Sequence, residues 1–307
     1  MRHAIANHAA ALAQRRAPSG GGGGSGDGGA AQGGRPPAAD EVRLVVSRDF
    51  GAEVLRDLVV PYRQKLDVLR LLAENAEVET AYGGGFVESV DGLKSSFGAV
   101  SSAEAADWFY WVDGVLADVG AADWPLRGGE TVWWDYHRWA DAMIVPMALH
   151  AFPRPYDGAP LAVTAAADVA GLDDWAAATG LELGARRDLA SHEPDGGLVL
   201  VTAEEAAATP WVRELLSPAR SGLRFADVGP GSITLLAPGG ERGPAAAAVA
   251  QPVGNPDDPA RPFLLVVGAS RDDLAALLPR LTAETLAATV AVALVDDEVV
   301  RLPWLAP

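Results

Sequence analysis

Tryptophan is concentrated in one short stretch of this chain, and that stretch limits the folds the chain can adopt. Six of the nine tryptophans lie between residues 108 and 139. In Trp108–Val112 and Thr131–Tyr136 large rings follow one another directly, so strands there would turn aromatic side chains to both faces of a sheet. One set can pack on a helix. The other set would lie on an outer face that invites a partner or planar ligand, or be covered by the C-terminal half or by Met143–Phe152.

The residues around these runs predict an α+β domain from residue 41 to residue 152. Val42–Val46 and Ala52–Arg56 flank the turn Asp49-Phe50-Gly51, which indicates a hairpin. Residues 66–75 then have the apolar spacing of an amphipathic helix. Further strands are expected at Val78–Tyr82, Phe86–Val90, Trp108–Val112 and Thr131–Tyr136. A hairpin, a helix and more strands is the order of a β-grasp, or ubiquitin-like, sheet.

The C-terminal half alternates strand and helix signals, which predicts a small α/β sandwich domain over residues 158–307. Ser270 is expected to cap its last helix, and residues 291–302 form one strand or a hairpin around Asp296-Asp297. Strands are expected at 161–164, 198–202, near 225, 233–236 and 263–268, and helices at 169–179, 203–216 and 272–286.

The first 40 residues differ in composition from the rest and predict a disordered tether. Ten glycines lie between residues 20 and 34. This stretch has too little apolar surface to offset the conformational entropy that ordering it would cost. The short apolar run 4–13 is not a recognisable signal peptide or a membrane span. Two interpretations of the start stay open: a leader has been trimmed or miscalled, or the protein is untargeted.

Charge and residue usage exclude several classes of function. A net charge of −17 argues against a generic nucleic-acid binder, and the absence of cysteine excludes disulfides and thiolate chemistry. No two of the five histidines have the spacing of a helical metal site, and no Gly-x-Ser-x-Gly elbow occurs. The sequence therefore predicts a protein with no catalytic constellation, no metal site and no required cofactor.

Four motifs in the aromatic region resemble a known family. Gly85-Phe86-Val87-Glu88-Ser89-Val90-Asp91-Gly92, Asp107-Trp108-Phe109-Tyr110-Trp111-Val112-Asp113-Gly114, Gly120-Ala121-Ala122-Asp123 and Glu130-Thr131-Val132-Trp133-Trp134-Asp135-Tyr136 are similar, in that order, to motifs of the transcobalamin-like C-terminal domain, also called DUF4430. Bacterial members are typically exported or attached to the cell surface. Animal relatives use this β-grasp domain as one jaw around cobalamin, and the other jaw, a helical barrel, has no counterpart in this chain.

The resemblance implies a non-enzymatic, extracytoplasmic or cell-surface protein that binds a corrinoid or a similar bulky planar molecule. The implied ligand contacts are Tyr82, Phe86, Trp108, Trp111 and Tyr136, with Tyr110 as the alternative to Trp111 if the faces are exchanged. His137, beside Arg138, is interpreted as a surface residue rather than a cobalt ligand. The alternative function is an envelope-associated protein-interaction module without a small ligand. The ligand, the role of the C-terminal domain and the oligomeric state are not predicted.

Overall fold

A computed structural model of the chain shows a mixed α+β protein with more strand than helix. It describes residues 31–32, 34–81, 85–96, 104–141, 144–190, 196–217, 222–229, 232–255, 258 and 261–305. Within these ranges, every helix is too short or too polar to cross a lipid bilayer.

Nineteen strands and five α-helices are formed by the described residues. The strands are β1 Ala31–Gln32, β2 Glu41–Arg48, β3 Glu53–Pro61, β4 Val78–Ala81, β5 Phe86–Val90, β6 Leu93–Lys94, β7 Ala106–Val112, β8 Val115–Leu116, β9 Thr131–Arg138, β10 Leu161–Ala165, β11 Leu183–Arg187, β12 Gly197–Thr202, β13 Phe225–Gly229, β14 Ser232–Leu236, β15 Arg242–Ala245, β16 Ala248–Val253, β17 Phe263–Gly268, β18 Ala291–Val295 and β19 Glu298–Leu302. The helices are α1 Val68–Ala73, α2 Leu172–Thr179, α3 Ala203–Ala208, α4 Pro210–Leu215 and α5 Arg271–Leu277.

The first sheet has six strands in the order β1-β3-β2-β9-β7-β8. Its central pair, β2 and β9, is parallel, and each central strand has an antiparallel neighbour, β3 and β7 respectively. The predicted hairpin is confirmed, since β2 and β3 pair antiparallel from Glu41 with Pro61 to Arg48 with Glu53. Strands β4 and β5 were expected to join this sheet, but they do not. They form a separate three-stranded sheet with β6, in the order β4-β5-β6.

Helix α1 covers one face of the first sheet. The side chain of Asp67 caps it by accepting a hydrogen bond from the backbone N–H of Arg70 at 2.8 Å. Val68, Leu71 and Leu72 are fully buried and share a core with the aromatic residues of β7 and β9. The helix is shorter than the expected span of 66–75, because it begins only after the extended cap residue Asp67 and ends at Ala73 with Glu74 as its C-terminal cap.

The second sheet has seven strands in the order β11-β10-β12-β17-β16-β18-β19. The four strands β11, β10, β12 and β17 are parallel, and the rest are antiparallel. Helices α2 and α5 pack on one face, and α3 and α4 pack on the other. The predicted helix 203–216 is divided at Thr209-Pro210. Of the two forms expected for residues 291–302, the hairpin is formed, with its turn at Asp296-Asp297.

The two sheets share an apolar core. Trp111 and Trp133 of the first sheet belong to the same buried cluster as Val249 and Ala293 of the second. The segment 145–152, here called the connecting segment, runs between the sheets. The backbone N–H of Leu149 in this segment bonds the carbonyl oxygen of Thr289 at 3.0 Å. The limits 41–152 and 158–307 stay a prediction, since shared packing does not say whether either part folds by itself.

Candidate functional site

Strands β7 and β9 sort their aromatic residues onto two faces of the first sheet. They pair antiparallel, with Trp108 opposite Tyr136 and Trp111 opposite Trp133. The helix face carries Trp108, Tyr110, Trp134 and Tyr136, and the opposite face carries Phe109, Trp111, Trp133, Asp135 and His137. Both faces are covered, so the aromatic residues do not form the broad open surface that the sequence left as one alternative.

Three of the predicted ligand contacts, Phe86, Trp108 and Tyr136, lie on the helix face of the first sheet or on the small sheet beside it. Trp108 and Tyr136 pack with ring centroids 5.2 Å apart. Both side chains donate to the backbone of β6, Trp108 Nε1 to Leu93 O at 3.0 Å and Tyr136 Oη to Lys94 O at 2.8 Å. Tyr136, on β9, and Phe86, on β5, remain partly exposed, whereas Trp108 is buried. We call Phe86, Trp108 and Tyr136 the aromatic rim.

The phenol of Tyr136 is held in its neutral, donating form. Partial burial raises its pKa above the usual value, and the nearby carboxylates of Asp107 and Asp49 raise the pKa further. A neutral hydroxyl bonded to a strand carbonyl keeps the ring in one orientation. Two rings of the aromatic rim, those of Trp108 and Tyr136, are therefore preorganised through contacts with the backbone of β6.

An exposed apolar residue, Val119, lies directly before the G-x-x-D loop of residues 120–123. Val119 is 44% exposed, and its carbonyl oxygen accepts a hydrogen bond from the hydroxyl of Tyr110 at 2.7 Å. The neighbouring Gly120 approaches Gly85 so closely that an added Cβ would lie 3.5 Å from the Gly85 carbonyl oxygen. The first residue of the G-x-x-D loop, which follows Val119, thus lies close to Gly85, the residue that precedes Phe86.

On the opposite face, polar and aromatic side chains form an inter-sheet cluster. Its members are Ser47, Phe50, Phe109, Trp111, Trp133, Asp135, His137 and His150. Trp111 is fully buried, stacks on Trp133 at 4.8 Å and donates from Nε1 to the carbonyl oxygen of Val145 at 2.8 Å. Both tryptophans have their indole N–H bonded, since Trp133 Nε1 donates to Ser47 Oγ at 2.7 Å. These rings thus connect the first sheet to the connecting segment.

Asp135 lies at the centre of this cluster and is fully buried. Its carboxylate accepts hydrogen bonds from Ser47 Oγ at 2.6 Å, from the backbone N–H of Phe50 at 2.9 Å and from that of Gly51 at 3.1 Å. The two backbone donors belong to the β2–β3 turn, in which Asp49, Phe50 and Gly51 all have positive φ. Asp135 therefore holds a strained turn in place, with a carboxylate whose oxygens are saturated by donors.

His137 completes the arrangement, and its position corrects the expectation of a surface residue. It is 1% exposed because position 137 faces the same side of β9 as Asp135, whose Oδ1 lies 2.9 Å from His137 Nδ1. The ring is stacked between Phe50 at 4.2 Å and Phe109 at 4.3 Å. The Asp135 contact assigns the proton to Nδ1, and Nε2 is buried without a hydrogen-bond partner.

His150, in the connecting segment, is also buried, and its ring lies 5.1 Å from that of Trp133. Neither ring nitrogen makes a hydrogen bond. Burial lowers its pKa to about 3, and the positive charge of Arg43 contributes in the same direction. The Thr131 backbone opposes this shift, although its geometry falls outside that of a hydrogen bond. His150 is therefore neutral at any physiological pH.

The structure brings together some of the predicted ligand contacts and separates others. Trp108 and Tyr136 are in contact, and Phe86 lies on a neighbouring sheet; Trp111 is on the opposite face, and Tyr82 lies outside the described residues. The alternative residue, Tyr110, shares the face of Trp108 but is buried against Trp134. Sequence analysis missed Ser47, Asp135 and His150. Positions 133, 135 and 137 alternate on one strand, and this pattern could have revealed that a polar pair continues the buried aromatic face.

In the part of the chain that the structure describes, no three His, Asp or Glu side chains are grouped so that they could hold a metal ion. Residues 66–138 match the model of a family described as a domain of unknown function, DUF4430. No curated protein is similar to the chain in sequence. A solved structure described as a candidate metal-binding protein from Ruminococcus gnavus ATCC 29149 is 16% identical over 32% of this chain and 97% of that one. Its TM-score of 0.24 is too low for this likeness to carry an argument.

Proposed function

We propose that this chain is a non-catalytic binding protein that engages its ligand at the aromatic rim. The observation that carries the proposal is the state of Tyr136, a large ring left partly exposed yet fixed by Trp108 and by the Lys94 carbonyl. Fixed aromatic rings provide contact area at a low entropic cost, because they lose little freedom on binding. The DUF4430 match covers the strands that carry the rim.

The first sheet is, in this proposal, a β-grasp sheet. The order β3-β2-β9-β7, with a parallel central pair and helix α1 following the first hairpin, supports this assignment. The proposed α/β sandwich character of the second sheet rests on its four parallel strands with helices on both faces. In both sheets the proposal concerns architecture and carries no function by itself.

The non-catalytic assignment is supported by how Asp135 and His137 are used. An Asp–His pair is a common element of acid–base catalysis, but here the oxygens of Asp135 bind the β2–β3 turn and the ring of His137 is enclosed by Phe50 and Phe109. A substrate would have to displace those rings to reach Nε2. We therefore assign the pair to structure, with no cofactor required.

For the ligand, we propose cobalamin or a similarly bulky planar molecule, as the sequence resemblance implies. Phe86 and Tyr136 would contact one face of it. Trp111 is omitted from this contact set because it is reached only if the two sheets separate, while Tyr82 stays a predicted contact. A single flat contact gives limited affinity, since the loss of translational and rotational freedom must be offset by few interactions. An extracytoplasmic location remains part of the proposal and rests on the same resemblance.

Calorimetric titration with cyanocobalamin tests this ligand. We expect saturable binding by the wild type, weakened at least about tenfold in Tyr136→Ala and in Phe86→Ala. Tyr136→Phe keeps the ring but removes the bond to Lys94 that fixes it, so its affinity should lie between those of the wild type and Tyr136→Ala. Trp304→Phe changes an aromatic residue that packs against Gly243 of β15 and should bind as the wild type does. No saturable heat at high micromolar ligand would reject the corrinoid, and equal binding by Tyr136→Ala would reject the rim.

A protein partner at the same rim is the second candidate function, and exposed Val119 is the observation that favours it. Exposed apolar side chains and partly exposed aromatic rings are typical of protein-interaction surfaces. If cyanocobalamin does not bind, cross-linking through a photoreactive amino acid at position 119 or 136 in the host cell distinguishes this candidate. One defined protein adduct from both positions supports it, and adducts no more frequent than from position 213, on α4, count against it.

A further inference from the structure

The eight edge strands of the described sheets differ in how well they are protected against pairing with another strand. Strands β1, β6 and β8 have two residues each. The ladders of β4, β11 and β13 each contain a register shift, and β15 contains Pro244. Short strands, bulges and proline prevent an edge from adding a further strand. The remaining edge is β19, at the end of the second sheet, and it has none of these features.

Strand β19 is regular along its whole length. It pairs with β18 through five consecutive residues without a register shift. Its two central residues, Val299 and Val300, are half-buried and pack partly against opposite faces of the second sheet. Both are β-branched residues, which suit a strand that pairs on both sides. A further strand at this edge would cover the part of each valine that is still exposed.

The backbone of β19 has donors and acceptors available on its outer side. The turn Asp296-Asp297 has φ angles of 50° and 64°, which define a type I′ turn. In such a turn the N–H of Glu298 points towards β18. Because backbone groups alternate in direction along a strand, the N–H and C=O groups of Val299 and Arg301 point outwards. No hydrogen bond joins these outward groups to any described residue.

The charged side chains at the two ends of β19 have opposite signs. Asp297 and Glu298 precede the valines, and Arg301 follows them. All three side chains are exposed, and none of them forms an ion pair with a described residue. Antiparallel pairing of two identical strands places the basic end of each strand beside the acidic end of the other. The charges of this edge therefore complement those of a second copy of the same edge.

We propose that β19 pairs antiparallel with β19 of a second copy of this chain, so that the second sheet continues across a symmetric dimer. In the register that places Val299 opposite Val299 of the second copy, the outward backbone groups face each other. Arg301 then lies opposite Asp297 of the second copy, and the two-fold symmetry makes this contact occur twice. Opposite charges on facing residues stabilise antiparallel pairs, and like charges destabilise them.

Cysteine cross-linking tests the register. The chain has no cysteine, so a single introduced cysteine reports on one position. A short bifunctional thiol reagent should join two copies of Val299→Cys, because facing residues have Cβ atoms about 5 Å apart. Two copies of Arg301→Cys should be joined much less, since four residues separate them by about 13 Å along the strands. Val54→Cys is the matched control, because Val54 is 44% exposed on the edge strand β3, which contains a register shift.

Sedimentation velocity on the full chain tests the dimer. About 0.15 M salt is used, at which the repulsion between the net charges of −17 is largely screened. We expect a dimer that dissociates on dilution. Val299→Lys places two ammonium groups opposite each other and should weaken the dimer at least about fivefold, whereas Val54→Lys should not. Arg301→Gln and Asp297→Asn should each weaken it, and the double variant should weaken it little further, because the two side chains form one pair.

Three results would overturn the proposal. The first is a wild type that stays monomeric at about 100 μM. The second is cross-linking at position 54 or 301 that is as efficient as at position 299. The third is a dimer that both Val299→Lys and Arg301→Gln leave intact. Arg301 is exposed, so its substitution tests the interface even if Val299→Lys lowers the urea midpoint. Because β19 and the aromatic rim lie on different sheets, these outcomes are independent of the cobalamin titration.

Discussion

Acidification from pH 7 to pH 5 should destabilise the folded protein through His150. Burial and the Arg43 charge hold the pKa of this side chain at about 3, whereas a histidine in the unfolded chain has a pKa of about 6.5. Between these two values the unfolded chain takes up a proton that the folded protein does not. The free energy of unfolding therefore falls as the pH drops below about 6.5, and it continues to fall until about pH 3. At about 1.36 kcal/mol per pKa unit, the loss by pH 5 is about 2 kcal/mol.

Urea denaturation followed by tryptophan fluorescence at pH 7 and pH 5 measures this loss in the wild type and in His150→Phe. Phenylalanine keeps a ring against Trp133 and has no titrating group. Neither nitrogen of His150 makes a hydrogen bond, so the replacement removes no bond. We expect the acid-induced loss of stability to be about 2 kcal/mol smaller in the variant.

Every other titrating group is present in both proteins, so its contribution cancels in the difference between them. If the larger phenylalanine ring lowers stability at both pH values, His150→Leu provides the same comparison without the added bulk. The reasoning is refuted if the wild type and both variants lose the same free energy between pH 7 and pH 5. That result would mean that His150 is accessible to water in the folded protein.

Two further predictions concern the β2–β3 turn. Asp135→Asn places an amide N–H₂ among groups that all donate, so it should lower the free energy of unfolding by about 3 kcal/mol or more. The exposed control Asp173→Asn should change it by less than about 0.5 kcal/mol, and urea denaturation of both variants measures the difference. Gly51→Ala should destabilise the protein more than Gly92→Ala does. Both glycines have positive φ, but only at Gly51 would the new Cβ collide with the Ala288 carbonyl oxygen. Similar melting temperatures of the two variants would contradict the described packing.

Local signals in the sequence were enough to predict the hairpin, helix α1 and most strands of both sheets. They worked where one short run of residues determines an element, as at the Asp49-Phe50-Gly51 turn, whereas at Asp296-Asp297 they left a single strand and a hairpin open. They were less accurate where proline interrupts a periodic run. Pro210 divides the predicted helix 203–216, and Pro279 lies just beyond the end of α5. Strands β11, β15 and β16 were missed because alanine, glycine and arginine dilute their strand signal.

The candidate site was less predictable than the fold. Alternation along β7 and β9 correctly separates Trp108 from Trp111, but it cannot show what covers each face. The answer depends on the connecting segment and on the second sheet, which lie far away in sequence. His137 illustrates the limit. Next to Arg138 it has the neighbours of a surface residue, and the tertiary contacts with Phe50 and Phe109 bury it.

Strand β9 connects the inter-sheet cluster with the aromatic rim, and the functional proposal depends on both. Trp133, Asp135 and His137 point from it into the inter-sheet cluster, and Tyr136 points from it into the aromatic rim. A substitution that shifts this strand would thus weaken binding at the rim without touching a ligand. Loss of cobalamin binding in Trp133→Phe would be uninformative by itself, whereas loss in Tyr136→Ala with an unchanged urea midpoint assigns the effect to the rim. The rim is established as a binding site only if a substitution in it lowers ligand affinity and leaves the stability of the inter-sheet cluster unchanged.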